Sequence, residues 1–502
     1  MTEPAAADGV PAAPRLGLVL VVALVARLAI FPFAENKHGD APMRALIAER
    51  LVLDPAAAHD PRAYCQFGPL HATLMRAFIA VDGVVPRSSR ALSLVAGLLV
   101  FVPFMRLATR IAGARRAELA ALGLAVSPLH VQASTTAASE ALYLLLFVAM
   151  LERLTAALAD PEARVGRFVV AGALASLAAV TRYDAWFSIP AAAVAAWWVR
   201  PPLVSRAQLA TGLCAFLAAA AVLPAAWISW CAVATHDPFF FAHYIEADHA
   251  QLAAAAVARW GPVVARLRQL GIWALSFVAA MTPPLALGAL IAWRRRARLE
   301  LDRPALRVAL AVGLAPVALY LAQGLLRLRF EPLPRFAIVP GALLLPLAAA
   351  AVPHARLAAA RAAVPLAAVA FAAVAYLVAM AGAGAGGRVW GGAESMGALT
   401  RLDAEDRAVA TYLRAHRQPH ERVMLEPLAF AEIAIAEEAR VPETESMSLT
   451  VTRTPRATVA ETRLATGARW FAAYDHPGGW IERLPDWPRD ALAFGHWRLF
   501  KR

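Results

Sequence analysis

Lysine is almost missing from this chain: Lys37 and Lys501 are the only two among 49 basic residues, so arginine carries the basicity. Cysteine is scarce too, with Cys214 and Cys231 in one apolar run and Cys65 in a polar stretch. Two residues so far apart on one helix stand roughly 25 Å apart, too far to bridge, which excludes a disulfide framework. Charged residues make up only 17% of the chain against 60% hydrophobic, with a mean hydropathy of +0.55. That balance excludes an ordinary soluble enzyme of 502 residues. No P-loop, dinucleotide fingerprint or HExxH zinc motif occurs, so nucleotide or nicotinamide chemistry has no support.

Long apolar runs are what the chain has instead. About eleven could cross a bilayer: 16–33, 91–112, 118–133, 140–157, 168–181, 185–199, 209–233, 271–293, 305–325, 336–352 and 362–381. The fold class predicted is mainly α, a polytopic membrane protein. The net charge of +13 is the balance that arginine-rich cytoplasmic loops produce, not a signal for nucleic acid. Arginines cluster at 106–116, 153–167, 200–206, 294–298 and 356–361, between alternate runs. The positive-inside tendency makes those loops cytoplasmic. It puts residues 1–15 inside as a short tail and the C-terminus outside, and the alanine- and arginine-rich composition suits a bacterial chain of the inner membrane. The first run lacks a small-residue cleavage site after it and reads as a retained anchor.

The predicted membrane domain covers 16–387, with two long outer loops at 34–89 and 234–270. Met43, Leu46, Ile47 and Leu51 in the first loop have helical spacing and predict a helix lying along the membrane surface. After a glycine-rich linker at 382–387, residues 388–502 lose the apolar runs and read as a small outside domain. A helix from Asp403 through His416 and strands at 422–426, 469–474 and 494–500 make it α/β or α+β.

Against this apolar background the ionisable residues near the outer surface carry the functional signal. Asp40 follows the first run and can act as a general base, or can merely cap the helix after it. Ser139-Glu140 opens the fourth run, as an N-cap with a first-turn acid or as part of a shared site. Thr181-Arg182-Tyr183-Asp184 forms an outer hairpin, either an interfacial anchor or an arginine clamp for phosphate. Arg327, Arg329 and Arg335 break the charge rule on the outer side around Glu331, which favours binding of an anionic headgroup. The second loop adds His236, Asp237, His243, Tyr244, Glu246, Asp248 and His249. Their spacing could suggest a divalent cation, but no metal signature is present and a plain polar loop is the simpler reading.

These segments, in this order and on this side, resemble the GT-C superfamily of membrane glycosyltransferases. The nearest likeness is to its protein-mannosyltransferase and aminoarabinose-transferase branch. The resemblance rests on several segments: His38-Gly39-Asp40, Gln66-Phe67-Gly68-Pro69-Leu70, Arg90-Ala91-Leu92-Ser93 and Ser127-Pro128-Leu129-His130. Ser139-Glu140, Thr181-Arg182-Tyr183-Asp184 and Asp237-Pro238-Phe239-Phe240-Phe241 complete it. Two positions depart from the pattern: Ala41 stands where many relatives have a second acid, and Met43 where they have tyrosine.

The resemblance implies a polyprenyl-phosphate sugar donor, transfer on the extracytoplasmic face to a protein, lipid or glycan acceptor, and Asp40 as the catalytic base. Direct displacement would invert the anomeric centre. Glu140, Arg182, Asp184, His243, Tyr244, Arg327, Arg329 and Arg335 are then the candidate substrate-binding residues. Membrane lipids are partners and nucleic acid is not. The resemblance fixes no cofactor, and a divalent cation stays open. A secondary transporter is the alternative, predicting repeated halves and a mid-membrane site. A non-catalytic assembly protein, in which Asp40 and Glu140 are dispensable, is a further one.

Overall fold

The computed structural model describes residues 15–34, 36, 40–64, 66–83, 86–160, 162, 164–199, 204–295, 299, 301–330, 332–383, 404–426, 431–442, 445, 467–475, 480–483 and 490–502. His38, Gly39, Cys65, the side chain of Asp248, Glu331 and the glycine-rich linker beyond Ala383 lie outside the described residues.

Helices dominate, as they must where lipid offers no partner to a free amide or carbonyl. The bundle is built from α1 (Leu16–Leu28), α4 (Pro86–Leu99), α5 (Phe101–Ala112), α6 (Ala114–Ala125), α7 (Pro128–Thr135), α8 (Glu140–Leu158) and α9 (Val165–Ala179). It continues through α10 (Asp184–Val199), α11 (Arg206–Thr235), α12 (Phe240–Met281), α13 (Pro283–Arg295), α14 (Arg303–Arg327), α15 (Ile338–Ala350) and α16 (Leu357–Ala383). Five stretches among the described residues are long and apolar enough to cross a membrane: Arg87–Ala112, Glu140–Leu158, Arg206–Thr235, Ala256–Met281 and Pro304–Arg327. Several shorter apolar helices accompany them.

Two expectations change here. The stretch 234–270 is not a loop: α12 runs through most of it, bent at Gly261 (φ 72°), where the following Pro262 removes an amide donor. The run at 271–293 is broken at Thr282 (φ 67°), because two consecutive prolines follow it and restrict the residue before them.

Between α1 and α4 the chain forms α2 (Ala41–Leu53) and α3 (Pro69–Asp82). The helical spacing around Met43 is present, but α2 does not present an open polar face. Arg44 and Glu49 are buried along with Leu46, Ile47 and Leu51. One cover is α18 (Ala431–Glu438) of the C-terminal region, which packs on α2.

That region holds α17 (Ala404–His416) and a four-stranded sheet, β1 (Val423–Leu425), β2 (Trp470–Tyr474), β3 (Leu492–Phe494) and β4 (Trp497–Lys501), in the order β1-β2-β4-β3. β1 and β2 are parallel and the other pairings antiparallel, so the fold is α+β. The single strand predicted at 494–500 is the hairpin β3–β4, turning at Gly495 (φ 61°). Val409, Leu413, Trp470 and Trp497 fill its core, and Asp406 accepts the Trp497 indole N–H at 2.7 Å.

Inside the bundle, Arg27 of α1 is fully buried and donates to the Ala125 carbonyl (3.1 Å) and to Nδ1 of His130 (2.8 Å). A cation at the C-terminus of α6 meets its orphan carbonyls and the negative end of its dipole. Arg27 thereby fixes the turn from α6 into α7, the helix that leads to Glu140.

Candidate active site

Asp40 occupies the N-cap position of α2, yet its carboxylate makes no capping hydrogen bond. It turns instead to Arg335, with Nη2 at 3.1 Å from Oδ2. Ser139 likewise precedes α8 without capping it, and Glu140 in the first turn faces inward. Arg335 Nε reaches Glu140 at 3.4 Å, and Arg182 forms a close ion pair with the same oxygen. Arg182 also donates through Nε to Asp184 at 2.8 Å, and the Tyr320 hydroxyl donates to the other oxygen of Asp184. The five segments carrying these residues meet at one end of the bundle.

The assembly is enclosed. The side chains of Glu140, Arg335 and Arg182 are 6%, 7% and 9% exposed, whereas Asp40, at 19%, is the most open of the three acids. Both guanidinium groups lie against the Phe336 ring, 5.7 Å for Arg182 and 5.5 Å for Arg335. The cavity lined by Glu140, Tyr143, Arg182, Asp184, Tyr320 and Arg335 has a volume of about 20 Å³, room for one water.

Gly68 explains how the 66–70 segment serves this arrangement. Its Cα lies so close to the Arg182 hairpin that a Cβ there would stand 2.2 Å from the Val180 carbonyl oxygen, which accepts the Leu70 amide at 3.2 Å. Only glycine fits that approach. The segment Gln66–Leu70 is thus a brace for the hairpin carrying Arg182 and Asp184.

The aromatic members Tyr143, Tyr320 and Phe336 escaped sequence reasoning, and so did two basic ones. Arg44, one helical turn after Asp40, is buried with its guanidinium 4.1 Å from the Phe67 ring centroid. Burial lowers it to about 10, opposed by Asp40 and Glu140, so it keeps its charge at neutral pH. The i, i+4 spacing from Asp40 was the available signal. His71 on α3 is also fully buried; desolvation first, then Arg44, holds its imidazole down to about 3 and therefore neutral. A lone histidine in an apolar stretch gave no such signal.

With Arg44 included, three carboxylates (Asp40, Glu140, Asp184) face three guanidinium groups (Arg44, Arg182, Arg335), and the formal charge is zero. Each acid is already engaged by arginine. Such a donor set suits a compensated network and does not fit a divalent cation.

The remaining candidates lie elsewhere. Arg327 is exposed at the end of α14. Arg329 pairs with Glu246 at 3.3 Å, in the open. Asp237 bonds His243 at 2.9 Å, also in the open, and Tyr244 packs edge-on to Phe240. His249 does reach the site indirectly, stacking on Phe330, which stacks in turn on Tyr320 (centroids 4.4 and 4.3 Å apart). Among the described residues, no three His, Cys, Asp or Glu side chains gather as a metal-binding group.

Residues 66–230 match the dolichyl-phosphate-mannose-protein mannosyltransferase family. The whole chain is similar in structure to ArnT from Cupriavidus metallidurans. In its apo state the two share 15% identity over 96% of each chain with a TM-score of 0.59. With undecaprenyl phosphate bound the values are 16%, 96% of each and 0.58. This chain has the GT-C fold. A second GT-C structure, the Archaeoglobus fulgidus oligosaccharyltransferase with zinc and sulfate, shares 14% identity over 91% of this chain and 67% of its own, with a TM-score of 0.53. No curated protein matches in sequence. At such low identities the GT-C likeness speaks for the architecture, and the chemistry has to come from the side chains just described.

Proposed function

We propose that this GT-C protein transfers a sugar from a polyprenyl-phosphate donor to an acceptor hydroxyl or related nucleophile on the extracytoplasmic face of the inner membrane, with Asp40 as the base. The observation that carries the reading is the convergence of Glu140, Arg182, Asp184 and Arg335 around one cavity at one end of the bundle, with Asp40 paired to Arg335. The undecaprenyl phosphate bound to ArnT supports a lipid-linked donor. The bilayer supplies the rest of the donor's binding energy, about 0.8 kcal/mol for each methylene buried.

The charge balance gives the mechanism its logic. As the acceptor oxygen attacks the anomeric carbon, its proton passes to Asp40 and the bond to the lipid phosphate oxygen breaks with inversion. The departing phosphate gains one negative charge. At the same moment Asp40 loses one, and Arg335, no longer matched by that carboxylate, turns its charge to the phosphate. Arg182 and Arg44 add fixed positive charge in an enclosed site, where it counts most. A lipid phosphate leaves readily, so no strong general acid is needed. No step calls for a metal bound by these residues. A cavity sized for one water has to widen before a sugar fits.

The test is incubation of the purified protein with a panel of polyprenyl-phosphate sugars, with mass spectrometry of candidate acceptors. Transfer by the native chain and none by Asp40→Asn is expected. Equal turnover by the two would remove Asp40 from the reaction, and no transfer with any donor would remove the reading itself.

A further inference from the structure

The seam between the C-terminal domain and the membrane domain holds a hydrogen-bonded node that nothing above requires. Asn36 lies four residues before Asp40 and is 2% exposed. Its Nδ2 donates to Glu437 Oε1 of α18 at 2.6 Å and to Ser89 Oγ of α4 at 2.7 Å, and Ser89 Oγ donates to the same Glu437 oxygen at 3.0 Å. Its Oδ1 accepts the backbone N–H of Ala137 at 2.7 Å. Ala137 lies in the short turn that ends at Glu140, and Ser93 Oγ holds the same turn by donating to the Ala138 carbonyl at 2.8 Å. The Ala137 amide is buried, so Asn36 satisfies a donor that would otherwise be orphaned.

We infer that Asn36 is a positioning residue that transmits docking of the C-terminal domain, through Glu437, to the turn carrying Glu140 and so to the acid–arginine cluster. The inference rests on the function proposed above for that cluster. Asparagine suits the node because it offers an acceptor to Ala137 and donors to Glu437 at once. An aspartate there would lose the amide donors to Glu437 and Ser89 and, once Glu437 is ionised, would be pushed away from it and from the Ala137 amide. The C-terminal domain is then a working part of the site, since α18 lies against α2, whose first turn follows Asp40.

The experiment is a reciprocal exchange in the full-length protein, with two readouts: sugar transfer, and hydrogen exchange of the peptide containing Ala137. Assayed above pH 8, where Glu437 is ionised, Asn36→Asp should lower kcat on the order of 10²-fold with KM little changed, the penalty of a small misplacement at a reacting centre. It should also speed exchange at 137–138. Glu437→Gln alone should stay near the native level, because its amide oxygen still accepts from Asn36. The double variant Asn36→Asp/Glu437→Gln should recover most of the lost turnover and protection, since the amide introduced on α18 can donate to the carboxylate introduced before α2. A native rate in Asn36→Asp would overturn the inference. So would failure of a folded double variant to recover, or unchanged exchange at Ala137. If the native protein transfers no sugar at all, the function proposed above falls. The exchange readout still decides whether Glu437 and Asn36 hold the turn.

Discussion

Two polar regions of the bundle use the same kinds of residue and come out opposite. Around Asp40, carboxylates and guanidinium groups interlock with less than a fifth of any side chain exposed. Along α12, Asp237 with His243 and Glu246 with Arg329 form pairs in which one or both side chains are about two-thirds exposed. Exposed pairs are screened and contribute between nothing and about 1 kcal/mol. Enclosed ones cannot lose a member without leaving a buried charge uncompensated. Residue type therefore says little by itself about where chemistry resides. Enclosure, with the connections that enclosure forces, says more.

The strongest way to break that contrast is to neutralise one acid in each region. Asp40→Asn keeps the shape of the side chain and removes its capacity to take a proton. Transfer should fall roughly 10²- to 10⁴-fold, the usual worth of a general base. Glu246→Gln should change the rate by no more than about twofold, in keeping with a screened pair. Single-turnover rates on a polyprenyl-phosphate sugar, with donor binding measured separately, would show whether the loss lies in the chemical step. Comparable effects of the two substitutions would erase the distinction.

Arginine removal comes next in size. Arg335→Ala leaves Asp40 without its 3.1 Å partner and Glu140 with one arginine fewer. Stability should drop by about 3–5 kcal/mol, the cost of breaking a buried pair, and donor-phosphate affinity should drop with it. Thermal unfolding in detergent and donor titration would check both. Arg182→Ala should do the same through Glu140 and Asp184.

A subtler lever is pH, acting where the two domains meet. Burial pushes the Glu437 carboxyl up to about 8, partly offset by the donors Asn36 and Ser89 and by Arg90, and reinforced by Glu49. Elsewhere on α18, Glu438 pairs with Arg414 at 3.4 Å, and Glu432 is buried. A carboxyl raised above its ordinary value on docking favours the docked state most below about 4.5, and that contribution is lost as pH rises towards 8. Protection of the α2–α18 seam against hydrogen exchange should therefore weaken between about pH 4.5 and 8 and level off above it. Glu437→Gln should flatten that dependence, because an amide does not titrate. Within the C-terminal domain the sign reverses at Glu421. Donors from Lys501, Gln418 and Trp470 outweigh its desolvation and hold it down to about 2, so its contribution is lost as pH falls from about 4.5 through that value.

Much of this was legible in the sequence, for reasons that differ between its parts. The helical membrane fold follows from apolar runs that nothing but a self-satisfied backbone can carry through lipid. The placement of Asp40, Glu140, Arg182 and Arg335 at one end follows from charges permitted only near the surface. What was illegible depended on tertiary enclosure. Arg44 and His71 look like ordinary surface residues of a first loop until the packing of α2 on α3 and the neighbouring helices buries them. The α12 helix was hidden because mixed alanine and polar residues blur a 3.6-residue period. Arg329 and Arg335, six positions apart, looked equivalent. Only the turn at Pro334–Ala337 sends one inward and leaves the other outside.

The smallest effect belongs to that outer pair, and it sharpens the comparison most. A double-mutant cycle on Arg329→Ala and Glu246→Gln should give a coupling energy below about 1 kcal/mol, falling further at high salt because both partners face solvent. The same cycle repeated with donor and acceptor bound is the informative half. The cavity at Glu140, Arg182 and Arg335 has room for one water and has to widen for a sugar. His249 on α12 stacks through Phe330 onto Tyr320, so a movement that opens the cavity is mechanically tied to the helix carrying Glu246. Coupling that stays small in both states would leave α12 a passive cover. Coupling that grows by about 1 kcal/mol or more when substrate binds, beyond the range of an exposed pair, would make the Glu246–Arg329 contact a latch of the loaded site.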